Sequence, residues 1–442
     1  MKTPILDFVS RYASSDTLRL HMPGHKGHGV LGIEQLDLTE IAGADALFTA
    51  DGIIAESESC ASALFGAHTF YSTEGASLAV RAMLYLAMLH AKSIGKQPLI
   101  LAGRNAHGAF LSGCALLDLP VCFLPLCGSY LSSSPSRETL AAHIEKYRPS
   151  AVYLTSPDYL GNTADIAALA SVCHERDVLL LVDNAHGAYL RFLSPSRHPI
   201  DLGADMTADS AHKTLPVLTG GAYLQISKNA PSLLKDCAKS AMSLFASTSP
   251  SYLILQSLDA SNAILEKDFP ARLASLATRV ARLRDACEAM GYTTVGDEEI
   301  KLTIAPKGYG YTGYELAEHL RSCGIECELA DPDYTVLMLS PSLPSDALQR
   351  IEASLASLTR RAPIAGEPPV PSDGTRVLSL RDACLAPSEE IPSRCALGRT
   401  LAYCTLACPP AVPIALPGET LSEQSLAALA YYGVKTVRVL PL

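Results

Sequence analysis

Nowhere in the 442 residues do Lys and Arg cluster into a basic run, and acids outnumber bases 45 to 35, for a formal charge of −10. Nucleic-acid phosphates are gripped by clustered cations, so a general nucleic-acid binder is excluded. No apolar run is long enough to cross a bilayer. The most apolar stretch, 113–128, carries Asp118 and two prolines and falls short of the roughly 20 residues a span needs. The N-terminal MKTPILDFVSRYASSD has an early acid and no long apolar core, so no signal peptide is expected. The 13 cysteines include no C-x-x-C pair. Cys323/Cys327 and Cys404/Cys408 are C-x-x-x-C, a spacing read as packing rather than metal binding, and the cysteines as small apolar residues in a reducing cytoplasm. What is abundant is apolar: 48% of residues are hydrophobic and 18% charged, which excludes a disordered chain. The length predicts two to four domains.

Alternating strands and helices occupy residues 60–225. A helix apolar nearly all round is expected over Ser77–Ala91, strands over Pro98–Leu101, Val121–Leu124, Ala151–Thr155, Val178–Val182 and Gly221–Ile226, and helices over Leu111–Leu117 and Thr163–Arg176, the last with Thr163 as N-cap. The continuous apolar run VLLLV at 178–182 is that of a strand covered on both faces. This pattern predicts an α/β fold with a mostly parallel sheet. One long helical stretch, Pro250–Met290, leads to a smaller α+β unit, and the Pro/Gly-rich linker Arg361–Gly374 marks a boundary. The expected domains are 1–260, 261–361 and a C-terminal segment 373–442.

Several motifs carry chemistry. Gly308-Tyr-Gly310-Tyr-Thr-Gly313 fits a dinucleotide G-x-G-x-x-G, but no second mononucleotide half follows it, and it is read as a glycine-rich turn. HMPGHKGHG at 21–29 holds three histidines in a Pro/Gly loop without paired carboxylates, so no metal is expected. A more informative set combines an acid at a strand end with a lysine in a polar loop. Asp183 follows VLLLV, at the strand edge where α/β sheets bind ligands. Asp209-Ser210-Ala211-His212-Lys213-Thr214 comes about 30 residues later. A lysine amine can form a Schiff base with an aldehyde cofactor, and a carboxylate is the group that keeps a pyridine nitrogen protonated. Ser210 and His212 could donate to a phosphate. Glu74-Gly75-Ala76-Ser77 opens the buried helix, offering N–H groups and the Ser77 hydroxyl to one anion. His107, just after the strand LILA, could stack on a flat ring.

In that order these segments resemble the pyridoxal-phosphate (PLP)-dependent Orn/Lys/Arg decarboxylases of fold type I. The likeness runs through LHMPGHKG (20–27), DLTEIAGAD (37–45), RNAHGAF (104–110), TSPDYLGN (155–162), LVDNAHGAYL (181–190), DSAHKTLPVLTGGAYL (209–224), STSPSYLILQSLD (247–259) and CPPAVPIALPGE (408–419). The resemblance implies a fold type I large domain with a smaller α+β C-terminal part. It implies Lys213 as the cofactor lysine, Asp183 as the pyridine-nitrogen partner, His107 as the stacking residue and His186 beside the ring. Gly75, Ala76, Ser77, Ser210 and His212 would hold the phosphate. It also implies a homodimer with the active site at the subunit interface, to which Thr248 and Ser249 would come from the neighbour, and a cytoplasmic enzyme of amine metabolism.

Departures from the family pattern are Asn184 where DEAHG has Glu, Gly108 where Lys is common, Glu74 where Asn is common, Gly220 near a usual Gln, and Cys408 where Tyr is usual. The expected reaction is α-decarboxylation of a basic amino acid, with Glu419 and Asp158 as candidates to meet its cationic tail and His25 or Lys26 near the mouth. Arginine, lysine and ornithine stay open, arginine being favoured because short family members are often arginine enzymes. Another fold type I reaction, of aminotransferase or aldolase type, and a catalytically degenerate PLP-binding homologue are the alternatives.

Overall fold

The computed structural model describes residues 1–371, 374–403 and 410–442. They form two compact units: Met1–Pro98, Ser150–Val152 and Ile166–Arg272 in the first, Leu99–Pro149, Tyr153–Asp165 and Leu273–Leu442 in the second. Among the described residues the strands are β1 (His68–Ser72), β2 (Ile100–Ala102), β3 (Val121–Phe123), β4 (Ala151–Thr155), β5 (Leu179–Asp183), β6 (Met206–Asp209), β7 (Ala222–Ile226), β8 (Thr293–Val295), β9 (Lys301–Ala305), β10 (Leu329–Ala330), β11 (Thr335–Met338), β12 (Glu389–Pro392) and β13 (Thr436–Val439). The unit boundary divides β4 after Val152.

In the first unit β1, β7, β6 and β5 lie side by side in that order. β5 and β6 run parallel, while β7 is antiparallel to both β6 and β1, so the sheet is mixed. Every residue of β5, β6 and β7 is buried, so no face of them alternates with solvent; Asp183, Thr207, Asp209 and Gln225 are the polar residues among them. The helix Gly75–Ser93 packs on β6 and β7 and extends the expected helix by two residues at each end.

The long helical stretch is in fact two helices, Tyr252–Lys267 and Phe269–Met290. Asp268 departs from helical geometry at φ −123°, and Pro270, which has no N–H and crowds the preceding turn, stands just inside the second helix, where proline is tolerated. The helix expected from Thr163 starts at Ile166. Thr163 donates its N–H and hydroxyl to Asp297, at 2.8 and 2.6 Å.

In the second unit β2 and β3 pair in parallel. A four-stranded antiparallel sheet, β10-β11-β9-β8, carries the helices Gly313–Ser322 and Ala347–Ala356, and β12 pairs with β13 near the C-terminus. Tyr130, Tyr159, Leu160, Val336, Leu401 and Val439 belong to one apolar cluster of this unit. The GYGYTG segment connects antiparallel β9 to a helix, not two parallel strands. Gly310 takes φ +96°, and a Cβ at Gly313 would lie 2.1 Å from the carbonyl oxygen of Tyr334 and 2.4 Å from that of Asp331. Close backbone packing explains these two glycines.

The cysteine reading needs correction. Cys114, Cys173 and Cys287 are buried, but Cys127, Cys323 and Cys395 are exposed, so these three are not packed in a core. Cys323 ends the helix Gly313–Ser322, so Cys327 does not share a helical face with it. Cys404 and Cys408 lie outside the described residues, as does the start of the 373–442 segment.

Candidate active site

β5 and β6 set Asp183 opposite Ala208, so the turns that follow both strands leave from one sheet edge. Asp183 is 4% exposed, and its Oδ1 accepts the Ala185 N–H at 3.2 Å. After β6 the chain passes through buried Ser210 into a single helical turn, Ala211–Thr214. This turn carries Lys213, whose Nζ is 3.0 Å from Nε2 of buried His186. The His212 N–H and its Nδ1 both point at the Gly221 carbonyl, each at 3.1 Å, which fixes the ring beside β7.

The third element follows β1. Gly75 takes φ +72° and donates its N–H to the Gly220 carbonyl at 2.7 Å, which joins the 72–77 turn to the 218–221 turn. Gly220 is required there. Its φ is +97°, and a Cβ would come within 3.0 Å of the Thr73 carbonyl oxygen. A Cβ on Gly75, by contrast, would meet nothing within 4 Å, so open space lies beside the first turn of the helix, to which Ala76 and Ser77 belong. The Ser249 loop is exposed and reaches the same place: the Ser247 N–H donates to Glu74 Oε1 at 2.7 Å, and the Ser249 N–H to Ser247 Oγ at 3.1 Å. Glu74 thus holds a loop within its own chain.

His107 belongs to the second unit. It caps the helix Gly108–Leu117, its Nδ1 accepting the Ala109 N–H at 3.0 Å, and the Gly108 N–H donates to Ala411. The two acids expected at the substrate tail are engaged with neighbours. Glu419, 4% exposed, receives Arg104 at 2.6 and 3.1 Å and the Leu416 N–H. Asp158 accepts the N–H groups of Leu160 and Asn162 and the Asn162 side chain. In the N-terminal arm His25 lies between Asp37 and the Gly27 N–H, Lys26 donates to the His21 carbonyl, and His21 faces Tyr12. Among the described residues no group of three or more His, Cys, Asp or Glu is placed to hold a metal ion.

A profile of the "Orn/Lys/Arg decarboxylase, major domain" matches residues 3–295. The chain belongs to the Orn/Lys/Arg decarboxylase family. It is a PLP-dependent enzyme, a carboxy-lyase acting on a basic amino acid. It is 30% identical to an arginine decarboxylase of Halalkalibacterium halodurans, over 96% of this chain and 92% of that one. It is 29% identical to an arginine decarboxylase of Bacillus subtilis with the same coverage. Among solved structures, the lysine decarboxylase LdcF of Francisella novicida aligns with a TM-score of 0.79 at 17% identity, covering 99% of this chain and 81% of that one. That likeness establishes the fold.

The first unit offers what such a decarboxylase needs to hold PLP. Open space beside Gly75 adjoins the N–H groups of a helical first turn and the Ser77 hydroxyl, a donor set suited to a phosphate. Asp183 brings a buried acid to this edge, and Lys213 an amine. Sequence reading missed four buried side chains behind this edge: Asn184 as a donor, Asp209, His198 and Gln225. The strand alternation that puts 184 and 209 on the face opposite 183 and 208 was the available signal.

Proposed function

We propose that this family member decarboxylates arginine, with Lys213 as the residue that carries PLP. The relatives at 27–30% identity that are named arginine decarboxylases, each covered over at least nine-tenths of its length, carry the substrate reading. The 3.0 Å contact between Lys213 Nζ and His186 Nε2 supports the site reading. Bound PLP supplies an electron sink for the charge left on Cα when CO₂ departs.

The chain's own residues do the rest. Asp183, buried at the strand edge, holds the proton on the ring nitrogen, because an ionised carboxylate in a dry site favours the protonated partner. Ala76, Ser77, Ser210 and His212 would hold the phosphate beside Gly75, with Ser249 supplied by a neighbouring copy of the chain. Lys213 Nζ and His186 Nε2 exchange a proton across their contact, so either can return one to Cα.

A second copy of the chain completes the enzyme in this reading. Leu20 is 82% and Val30 99% exposed in the N-terminal arm, and apolar side chains left bare in one stretch mark a surface that another protein covers.

Incubating the PLP-loaded protein with arginine, lysine and ornithine, and measuring CO₂ and amine, tests the proposal. CO₂ with agmatine from arginine, exceeding turnover of the other two, is expected. Faster lysine or ornithine turnover overturns the substrate, and a keto acid without CO₂ overturns the reaction.

A further inference from the structure

On the face of β5 and β6 opposite Asp183 lies a buried polar cluster. Asn184, Asp209, His198 and Gln225 are each 0% exposed. Asn184 continues the ladder, its N–H donating to the Ala208 carbonyl at 3.0 Å. Its Nδ2 lies 2.8 Å from Asp209 Oδ1. Asp209 Oδ2 receives His198 Nε2 at 2.8 Å and Gln225 Nε2 at 3.2 Å. The Thr69 hydroxyl donates to Gln225 Oε1 at 2.6 Å, which turns the amide nitrogen toward Asp209.

The protonation pattern follows from these contacts. His198 Nδ1 accepts the Ile200 N–H at 3.3 Å, so the ring proton sits on Nε2 and is donated to Asp209; Asn184 Nδ2, 3.1 Å from the same Nε2, directs its proton to Asp209 Oδ1 instead. A neutral imidazole satisfies both bonds. The other ionisable group set against Asp209 is Tyr223, opposite it on β7. Burial first, then Asp209, pushes that phenol well above its ordinary range, so it stays neutral. Asp209 is the one acid of the cluster, and amide, imidazole and phenol groups surround it. A carboxylate at position 184, as in the family's DEAHG, would face Asp209 across 2.8 Å without solvent, and the two would have to share a proton. Asn184 is what a carboxylate at 209 requires.

We infer that Asn184 and Asp209 are positioning residues for the cofactor site: they lock the ends of β5 and β6 and place one buried charge behind Asp183 and the Ser210–Lys213 turn. This rests on the assignment of Lys213 and Asp183 above. A packing role alone would not move an ionisation at Lys213; a buried charge does.

The test follows the visible absorbance of the PLP-loaded protein against pH. Removing the charge in Asp209→Asn should lower the midpoint by about half a pH unit or more, as a unit charge acting through protein of effective dielectric constant about 20 does. Asn184→Asp combined with Asp209→Asn returns the charge from the other side of the same contact and should restore the wild-type midpoint. An unchanged or raised midpoint in Asp209→Asn overturns the inference, as does a double variant that stays low. Should Asp209→Asn not fold, the double variant decides alone: a wild-type midpoint supports the charge and a displaced one refutes it. Lys213→Ala separates the premises. If that variant keeps the band, the assignment of Lys213 is wrong; if it loses the band, the Asp209 result judges the network.

Discussion

Asp259 ties the N-terminal helix Pro4–Ala13 to the first unit, and its titration is measurable. Thr3 makes no side-chain cap at the start of that helix. Asp259 Oδ2 instead accepts the N–H groups of Ile5 and Leu6, both at 2.9 Å, and Oδ1 accepts the Ser57 hydroxyl at 2.6 Å. The residue is 0% exposed. Burial pushes its carboxyl from 3.8 up to about 6, against the Ser57 and backbone hydrogen bonds that pull it down. The folded state thus holds this proton more tightly than the unfolded chain, and folding takes up a proton between about pH 4 and 6. Raising the pH through that window removes stability.

Asp259→Asn keeps the shape and does not titrate. The stability of the wild type relative to Asp259→Asn should therefore fall by about 2 kcal/mol between pH 4.5 and 7.5. The chain has no tryptophan, so urea unfolding followed by far-UV circular dichroism is the suitable assay, with hydrogen exchange of the Ile5 and Leu6 amides as the local probe. A difference independent of pH, or one that grows as pH rises, would refute the reasoning. It would mean that the three donors outweigh burial.

Other outcomes follow from the same geometry. Lys213→Ala should abolish the visible band of the PLP-loaded protein and its CO₂ release, while leaving the far-UV spectrum unchanged. Arg104→Met removes the cation hydrogen-bonded to the Glu419 carboxylate, 4% exposed, leaving Arg376 as the cation near it, and should cost about 3 kcal/mol in thermal unfolding; pairing it with Glu419→Leu should recover most of that loss. Gly313→Ala should destabilise by more than about 3 kcal/mol, because its Cβ would sit 2.1 Å from a backbone oxygen, whereas Gly308→Ala, where a Cβ meets nothing within 4 Å, should cost less than about 1 kcal/mol in the same urea titration.

Local signals reached far into this fold. VLLLV could only be a strand covered on both faces, and β5 is buried throughout. The helix opened by Gly75 was legible from its apolar composition, and the order of Asp183 and Lys213 along alternating elements implied one sheet edge. Periodicity did not register the break at Asp268, because Pro270 suits the start of a new helix as well as it disrupts an old one.

The sequence by itself determined the family, the cofactor and the kinds of side chain the chemistry needs, since those depend on residue type and order. Only the tertiary structure decided which polar groups find each other. It brought Lys213 onto His186, spent Glu419 on Arg104, and set Asn184 and Asp209, 25 residues apart, against one another in a fully buried place. A hydrogen bond depends on a few tenths of an ångström between strands, and nothing in the one-dimensional spacing of residues encodes that distance.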